Sequence, residues 1–145
     1  MFVLLNLTAP PILMLLLPAA FIGNYSLPAP PASDVAVFST AGEPLPAWVL
    51  NSTLYVLQDG SPAVAVYVPK FENASGLYTV AVNASSLVVQ APPGVMVEGV
   101  SPTPLRVDVN KTGMYLYLQG PATVKYVFFS VEVRPPRTTT PPVAT

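Results

Sequence analysis

The chain has no cysteine and no histidine among its 145 residues. The missing cysteines exclude disulfide bonds, thiolate metal sites and cysteine nucleophiles, and the missing histidines remove a common general base and zinc ligand. Its seven Asp and Glu residues show none of the regular spacing of a calcium-binding loop. The sequence therefore predicts a protein that is not an enzyme and that uses no cofactor, no metal and no small-molecule substrate.

Charge is also scarce. Charged residues make up 9% of the chain and the net charge is -1, whereas about a quarter of an ordinary soluble domain is charged. The six Lys and Arg residues are scattered singly, so no basic patch is available for a phosphate backbone. Nucleic acid is therefore excluded as a partner. The length suits one domain with a substantial core.

What the chain does have is an uncharged N-terminal run, MFVLLNLTAPPILMLLLPAAFI, at residues 1–22. A transmembrane helix would need about 20 unbroken apolar residues, and Pro10, Pro11 and Pro18 interrupt the run. A secretory signal peptide is a second interpretation, with small residues before a cleavage site, although no Lys or Arg precedes the run. A membrane anchor and a signal-like segment both stay open as alternatives.

A buried β-strand is the third interpretation of this run. The pieces between the prolines, residues 2–9 and 12–17, have the length of strands, and continuous apolarity is typical of a strand that is covered on both faces. Such a strand would fill a groove on the same subunit or on a neighbour. The residues predicted to form it are Phe2, Val3, Leu4, Leu5, Leu7, Ile12, Leu13, Met14, Leu15, Leu16 and Leu17.

Every asparagine of the chain begins an Asn-x-Ser/Thr triplet without proline at its centre, the acceptor pattern for N-linked glycans. The six acceptors are Asn6, Asn24, Asn51, Asn73, Asn83 and Asn110. Glycosylation implies transport across a membrane and exposed acceptors, so the pattern predicts an extracellular or cell-surface protein with covalent glycans. Asn6 is the weakest candidate because it falls inside the apolar run. The many prolines and the absence of cysteine are typical of heat-resistant extracellular proteins, such as those of hot-living archaea.

The rest of the chain divides by composition. Residues 23–33 are a proline-rich linker, residues 34–134 a β-rich body, and residues 135–145 a Thr/Pro-rich extended tail. The body keeps no helical spacing and shows eight or nine short strand candidates, which predicts an antiparallel β-sandwich or jelly roll.

Three local patterns within the body can be checked. Residues 48–58 and 63–68 are predicted to pair as one hairpin across the turn at residues 59–62. LRVDVN at residues 105–110 alternates apolar and polar side chains, which predicts a half-buried strand. The aromatic residues in or beside strand candidates are predicted to pack in the core or across strands rather than on sugars. They are Trp48, Tyr55, Tyr67, Tyr78, Tyr115, Tyr117 and Tyr126.

An apolar strand-like N-terminus, a proline-rich spacer and a sequon-rich β body together resemble the subunits of archaeal threads and bundling pili and of bacterial biofilm matrix fibres. The resemblance is one of architecture over most of the chain. It implies donor-strand complementation, in which the N-terminal strand of one subunit inserts into the next. The implied function is a structural subunit of an extracellular homopolymer for adhesion or biofilm cohesion, in contact with the cell surface or other filaments.

Three other functions compete with this one. A membrane-anchored cell-surface module, of the kind associated with S-layers, would embed residues 1–22 in lipid. A carbohydrate-binding adhesin would expose an aromatic platform. A virion jelly-roll protein would assemble into closed shells.

Overall fold

The computed structural model describes residues 1–129, and this part of the chain is all-β, with fourteen strands and no helix. The all-β prediction is confirmed. The strands are β1 (Phe2–Asn6), β2 (Ile12–Leu17), β3 (Ile22–Ser26), β4 (Ala36–Ser39), β5 (Ala47–Leu50), β6 (Thr53–Leu57), β7 (Ala63–Tyr67), β8 (Glu72–Ala74), β9 (Leu77–Val82), β10 (Ser86–Ala91), β11 (Val95–Ser101), β12 (Arg106–Asn110), β13 (Gly113–Gln119) and β14 (Ala122–Phe128). Eleven of these strands, β4–β14, lie in the predicted body, where eight or nine were expected. The difference arises because residues 48–58 form two strands and because the three-residue β8 is an additional one.

The strands form three sheets. The large sheet has the order β12-β13-β10-β1-β2-β7-β4, a second has the order β11-β14-β9-β8, and a small sheet has the order β3-β6-β5. One face of the large sheet contributes alternate side chains to a shared core, which the other two sheets also line. The arrangement is β-sandwich-like.

Strand pairing is antiparallel throughout these sheets except between β1 and β10. These two strands are parallel, with Leu4 opposite Val88 and Leu5 opposite Val89. A tight turn allows only antiparallel neighbours, but strands far apart in sequence carry no such restriction. The predicted antiparallel sandwich therefore contains one parallel pair, and it lies at the N-terminal strand.

The predicted hairpin between residues 48–58 and 63–68 is wrong. Asn51 and Ser52 both have positive φ, 52° and 64°, which is the geometry of a tight two-residue turn between antiparallel strands. The turn divides residues 48–58 into β5 and β6, which pair with each other. Strand β7 instead pairs with β2 and β4 in the large sheet.

The LRVDVN strand exists as β12, but its apolar side chains are not half-buried. Leu105, Val107 and Val109 are 69%, 50% and 75% exposed. Val107 lies opposite the buried Leu116, so it is on the core side of the sheet. Because β12 is the edge strand, the second layer does not reach far enough to cover it.

The predicted linker is more structured than its prolines indicate. Strand β3 crosses its start, and the residues after β3 are hydrogen-bonded to the body. The Ala32 amide donates to the Val68 carbonyl at 2.7 Å and the Lys70 amide to the Pro30 carbonyl at 2.8 Å. Proline carbonyls remain good acceptors, so an extended proline-rich segment can lie along a sheet. The predicted tail, residues 135–145, lies outside the described residues.

Candidate assembly and glycosylation sites

The N-terminal run forms a hairpin, β1–β2, at the centre of the large sheet. Leu5 pairs with Leu13 inside the hairpin, while β1 pairs with β10 on one side and β2 with β7 on the other. The hairpin is therefore the only link between β10 and β7 among the described strands. Without it, a slot two strands wide would separate two open strand edges.

The predicted donor-strand residues divide between the two faces of this hairpin. Six of them face the core and are at most 2% exposed: Val3, Leu5, Leu7, Leu13, Leu15 and Leu17. Burying these six side chains contributes on the order of 10 to 20 kcal/mol before the cost of ordering the chain. The other five lie on the outer face and stay partly exposed: Phe2, Leu4, Ile12, Met14 and Leu16.

The outer face of the large sheet continues this apolar surface across the neighbouring strands. Met14 lies beside Leu4 and Val66, and Leu4 lies beside Val88. Within the described chain none of the sheets packs against this side, whereas continuous apolarity predicted cover on both. The hairpin is thus buried on one face only.

The turn of the hairpin is tied to the opposite sheet. The Tyr126 hydroxyl donates to the Thr8 carbonyl at 2.7 Å, and Tyr126 stacks on Tyr78 with ring centroids 5.2 Å apart. Burial raises the pKa of Tyr126, and the nearby Tyr78 raises it further. On β7, burial raises the pKa of Tyr67, although the Ala29 amide, which donates to the phenol oxygen at 3.3 Å, opposes this shift. The Tyr67 hydroxyl itself donates to the Ala29 carbonyl at 2.7 Å. Both phenols are protonated donors at neutral pH.

Residues 18–21 connect the hairpin to β3, and we call them the hinge. Gln58, the one buried polar side chain of the described residues, holds it. Its amide Nε2 donates to the Pro18 carbonyl at 2.9 Å, its Oε1 accepts from the Tyr25 hydroxyl, and its backbone N–H donates to the Phe21 carbonyl at 2.8 Å. No local pattern in the sequence signals this role of Gln58, because its partner Pro18 is forty residues away along the chain.

Five of the six predicted acceptor asparagines are exposed: Asn24, Asn51, Asn73, Asn83 and Asn110. They lie on strands β3, β8 and β12 and on two connections, so exposed acceptors occur around the molecule. At Asn110 the side-chain Oδ1 accepts from the Thr112 amide at 2.8 Å and from the Thr112 hydroxyl at 2.6 Å. This Asx turn brings the two polar groups of the triplet together.

Asn6 differs from the other five. It ends β1, between Gln90 and Ile12, and it is only partly exposed. Its Oδ1 is buried and has no hydrogen-bond partner within the described residues. A carbonyl oxygen in this position has lost its hydration without replacement. Asn6 lies on the outer face of the sheet with Leu4 and Ile12, and its side-chain oxygen is covered there.

Within residues 1–129 no group of three or more acidic side chains is arranged to hold a metal ion. No helix in this part of the structure is long and apolar enough to cross a membrane. Comparisons of the chain with protein-family models, with characterised proteins and with solved structures find no match. The site residues and their contacts are therefore the basis for the functional proposal.

Proposed function

We propose that the protein is a structural subunit of an extracellular, N-glycosylated filament, in which each copy inserts its N-terminal hairpin into the slot of a neighbour. The observation that carries this proposal is the position of the hairpin: β1 and β2 occupy a two-strand slot between β10 and β7. A second copy's hairpin has the same sequence and fits the same slot. We also propose that the strands of the β-sandwich are connected as in a jelly roll.

Exchange between copies preserves the contacts of the slot. The backbone pairing with β10 and β7 and the six buried side chains would be identical in the exchanged form. Swapping of an identical element is a low-cost route to assembly, and a head-to-tail arrangement that does not close produces a fibre. Opening requires release of the short hinge, residues 18–21, from Gln58.

The outer face of the large sheet is a second observation that supports assembly, and it does not depend on exchange of the hairpin. Leu4, Met14 and Val66 contribute to an apolar surface that carries no charged residue on strands β1, β2 and β7. Uncovered apolar faces of this kind are typical of surfaces that pack against another molecule. The five exposed acceptor asparagines are all outside these three strands, and Asn110, on the edge strand β12, is three strands from β1.

A cross-link that keeps the hairpin in its own chain tests the proposal. Met14 and Val66 are direct neighbours on β2 and β7, and the chain has no cysteine of its own. The double variant Met14→Cys/Val66→Cys is oxidised as a dilute monomer and then examined for fibres by negative-stain electron microscopy. We expect no fibres from the oxidised protein and normal fibres after reduction.

The matched control is Thr79→Cys/Lys125→Cys, which joins β9 to β14 away from the hairpin. It should form fibres in both redox states. Fibres from the oxidised Met14→Cys/Val66→Cys monomer would contradict hairpin exchange. Absence of fibres from the unmodified protein, together with binding to detergent micelles, would favour the membrane-anchored alternative.

A further inference from the structure

The outer face of the small sheet is strongly apolar and strongly exposed. Ile22 and Leu57 form one cross-strand pair on it and are 71% and 42% exposed. Trp48 and Leu50 on β5 are 56% and 63% exposed. The opposite face packs into the core through residues such as Leu54 and Val56. A bare surface of this kind is an aggregation hazard unless something covers it.

Asn24 lies halfway along β3, the strand at one edge of this face. On strand β3 it is directly opposite Tyr55 of β6, and Tyr55 is directly opposite Trp48 of β5. Gly23, Leu54 and Val56, which flank this row on β3 and β6, are buried on the opposite face. Asn24, Tyr55 and Trp48 therefore make one outward-facing row across the three strands.

The second acceptor triplet of this sheet converges on the same face. Ser26 completes the triplet of Asn24, Thr53 completes the triplet of Asn51, and the two residues are direct cross-strand partners. The small sheet thus brings two acceptor triplets together beside the exposed Trp48 and the partly exposed Tyr55. Sequence order alone does not show this, because the two triplets are separated by the whole of β4 and β5.

The spacing suits a carbohydrate chain. Neighbouring strands are about 4.8 Å apart, so the Tyr55 side chain is one strand from Asn24 and that of Trp48 two strands away. The faces of aromatic rings carry partial negative charge, and the C–H groups on the face of a sugar ring carry partial positive charge. A sugar on Asn24 can pack on Tyr55, and the next sugar can reach Trp48.

We propose that the N-linked glycan of Asn24 lies across Tyr55 and Trp48 and uses their rings as a binding platform. The carbohydrate of the chain itself then covers the exposed apolar face of the small sheet. This inference rests on the N-glycosylation in the proposed function, but it does not depend on hairpin exchange. It assigns to Trp48 and Tyr55 a role in holding a sugar rather than in packing the core.

Asn83 provides the matched control. It is an exposed acceptor asparagine like Asn24, and its backbone amide is held by the Pro28 carbonyl at 2.6 Å. The groove beside it is lined by proline, alanine, valine, serine and threonine side chains, with no aromatic ring. A glycan on Asn83 has no comparable platform.

Trp48 is the single tryptophan of the chain, so its fluorescence reports on the platform directly. The full chain is secreted from a yeast that adds N-linked glycans beginning with N-acetylglucosamine, and mass spectrometry of glycopeptides gives the occupancy of each acceptor. Acrylamide quenching of Trp48 is then compared among the unmodified chain, Asn24→Gln and Asn83→Gln. We expect Asn24→Gln to raise the quenching constant and shift emission to longer wavelength, and Asn83→Gln to change neither.

A second measurement distinguishes stabilisation by contact between the Asn24 glycan and the two aromatic rings from a general effect of the glycan on solubility. Loss of the Asn24 glycan should lower the melting temperature in the unmodified background, and this decrease should vanish in Tyr55→Thr/Trp48→Thr. Equal quenching with and without an occupied Asn24, or an empty Asn24 beside occupied neighbours, would overturn the platform alone. Absence of carbohydrate at all acceptors would overturn glycosylation as well.

Discussion

The N-terminal hairpin and the small sheet each bury one face in the core, but their outer faces are exposed to different degrees. On the outer face of the hairpin the most exposed side chains, Phe2 and Leu16, are 43% and 41% exposed. In the small sheet, Trp48 and Leu50 remain more than half exposed. The hairpin has strands on both sides and its asparagine is partly buried, whereas the small sheet has only three strands and carries an exposed Asn24 on its edge strand β3.

This difference shows that apolar patterning does not by itself reveal what covers a surface. Protein covers the inner face of the hairpin, carbohydrate is our proposal for the small sheet, and a neighbouring copy is our proposal for the hairpin slot. The following predictions distinguish these environments, beginning with the largest expected effect.

Adjacent leucines in β2 offer the strongest contrast. Leu15 is fully buried and Leu16 is 41% exposed on the outer face. Leu15→Ala should lower the free energy of unfolding by about 2 to 5 kcal/mol because it removes buried methyl groups and leaves a cavity. Leu16→Ala should cost less than about 1 kcal/mol in the monomer. Urea denaturation of the two monomers checks this. Equal losses in the free energy of unfolding would show that the inner and outer faces of β2 do not differ in burial.

Substitution of Gln58 measures how much its contacts with the hinge contribute to the free energy of unfolding. Gln58→Ala leaves the carbonyls of Pro18 and Ser61 without their side-chain donor. The free energy of unfolding should fall by about 1 to 3 kcal/mol, the cost of unpaired buried polar groups. Gln119→Ala, at an exposed position, is the control and should change little. Faster fibre formation by Gln58→Ala would further indicate that hinge release limits exchange.

Alkaline pH should lower the free energy of unfolding through two buried tyrosines that pack near the hairpin. Tyr67 and Tyr126 have raised pKa values in the folded chain because of burial. Above pH about 10 the unfolded chain loses these protons first, so the free energy of unfolding falls as pH rises, while below that pH the stabilisation is intact. Tyr67→Phe and Tyr126→Phe should each flatten the decrease measured by urea denaturation between neutral and alkaline pH. An unchanged slope in both variants would contradict this assignment.

The smallest effect concerns Asn6. Its Oδ1 is buried without a partner, so Asn6→Val should leave stability unchanged or slightly higher, by about 1 kcal/mol at most. Asn6 should also carry no glycan in protein whose five exposed acceptors are modified. Mass spectrometry of glycopeptides measures this, and a modified Asn6 in folded protein would show that the hairpin is accessible during or after folding.

Several of these features could be predicted from sequence. The prolines at positions 10 and 11 divide the apolar run into two strand-length pieces, and the structure forms β1 and β2 there. The position of Asn6 inside that run also predicts a poor acceptor, and this stays a prediction. The alternation of residues 105–110 predicts a strand, and the structure forms β12 there.

Other features could not be predicted because they depend on distant pairing. The parallel register of β1 with β10 and the contacts of Gln58 with the hinge join residues far apart in sequence. The Asn51–Ser52 turn lacks the glycine that normally marks such a turn. The exposure of Val107 reflects how far the second layer extends, and alternation in one strand does not contain that information.

The most direct measurement of hairpin exchange locates the hairpin within assembled protein. Met14→Cys/Val66→Cys is assembled in reduced form, oxidised only after fibres have formed, and then denatured on a non-reducing gel. Because the two positions face each other across β2 and β7, exchange predicts a ladder of covalent dimers, trimers and longer multimers. Cross-linked monomers alone would show that each hairpin stays in its own chain, and this would contradict the proposed mode of assembly.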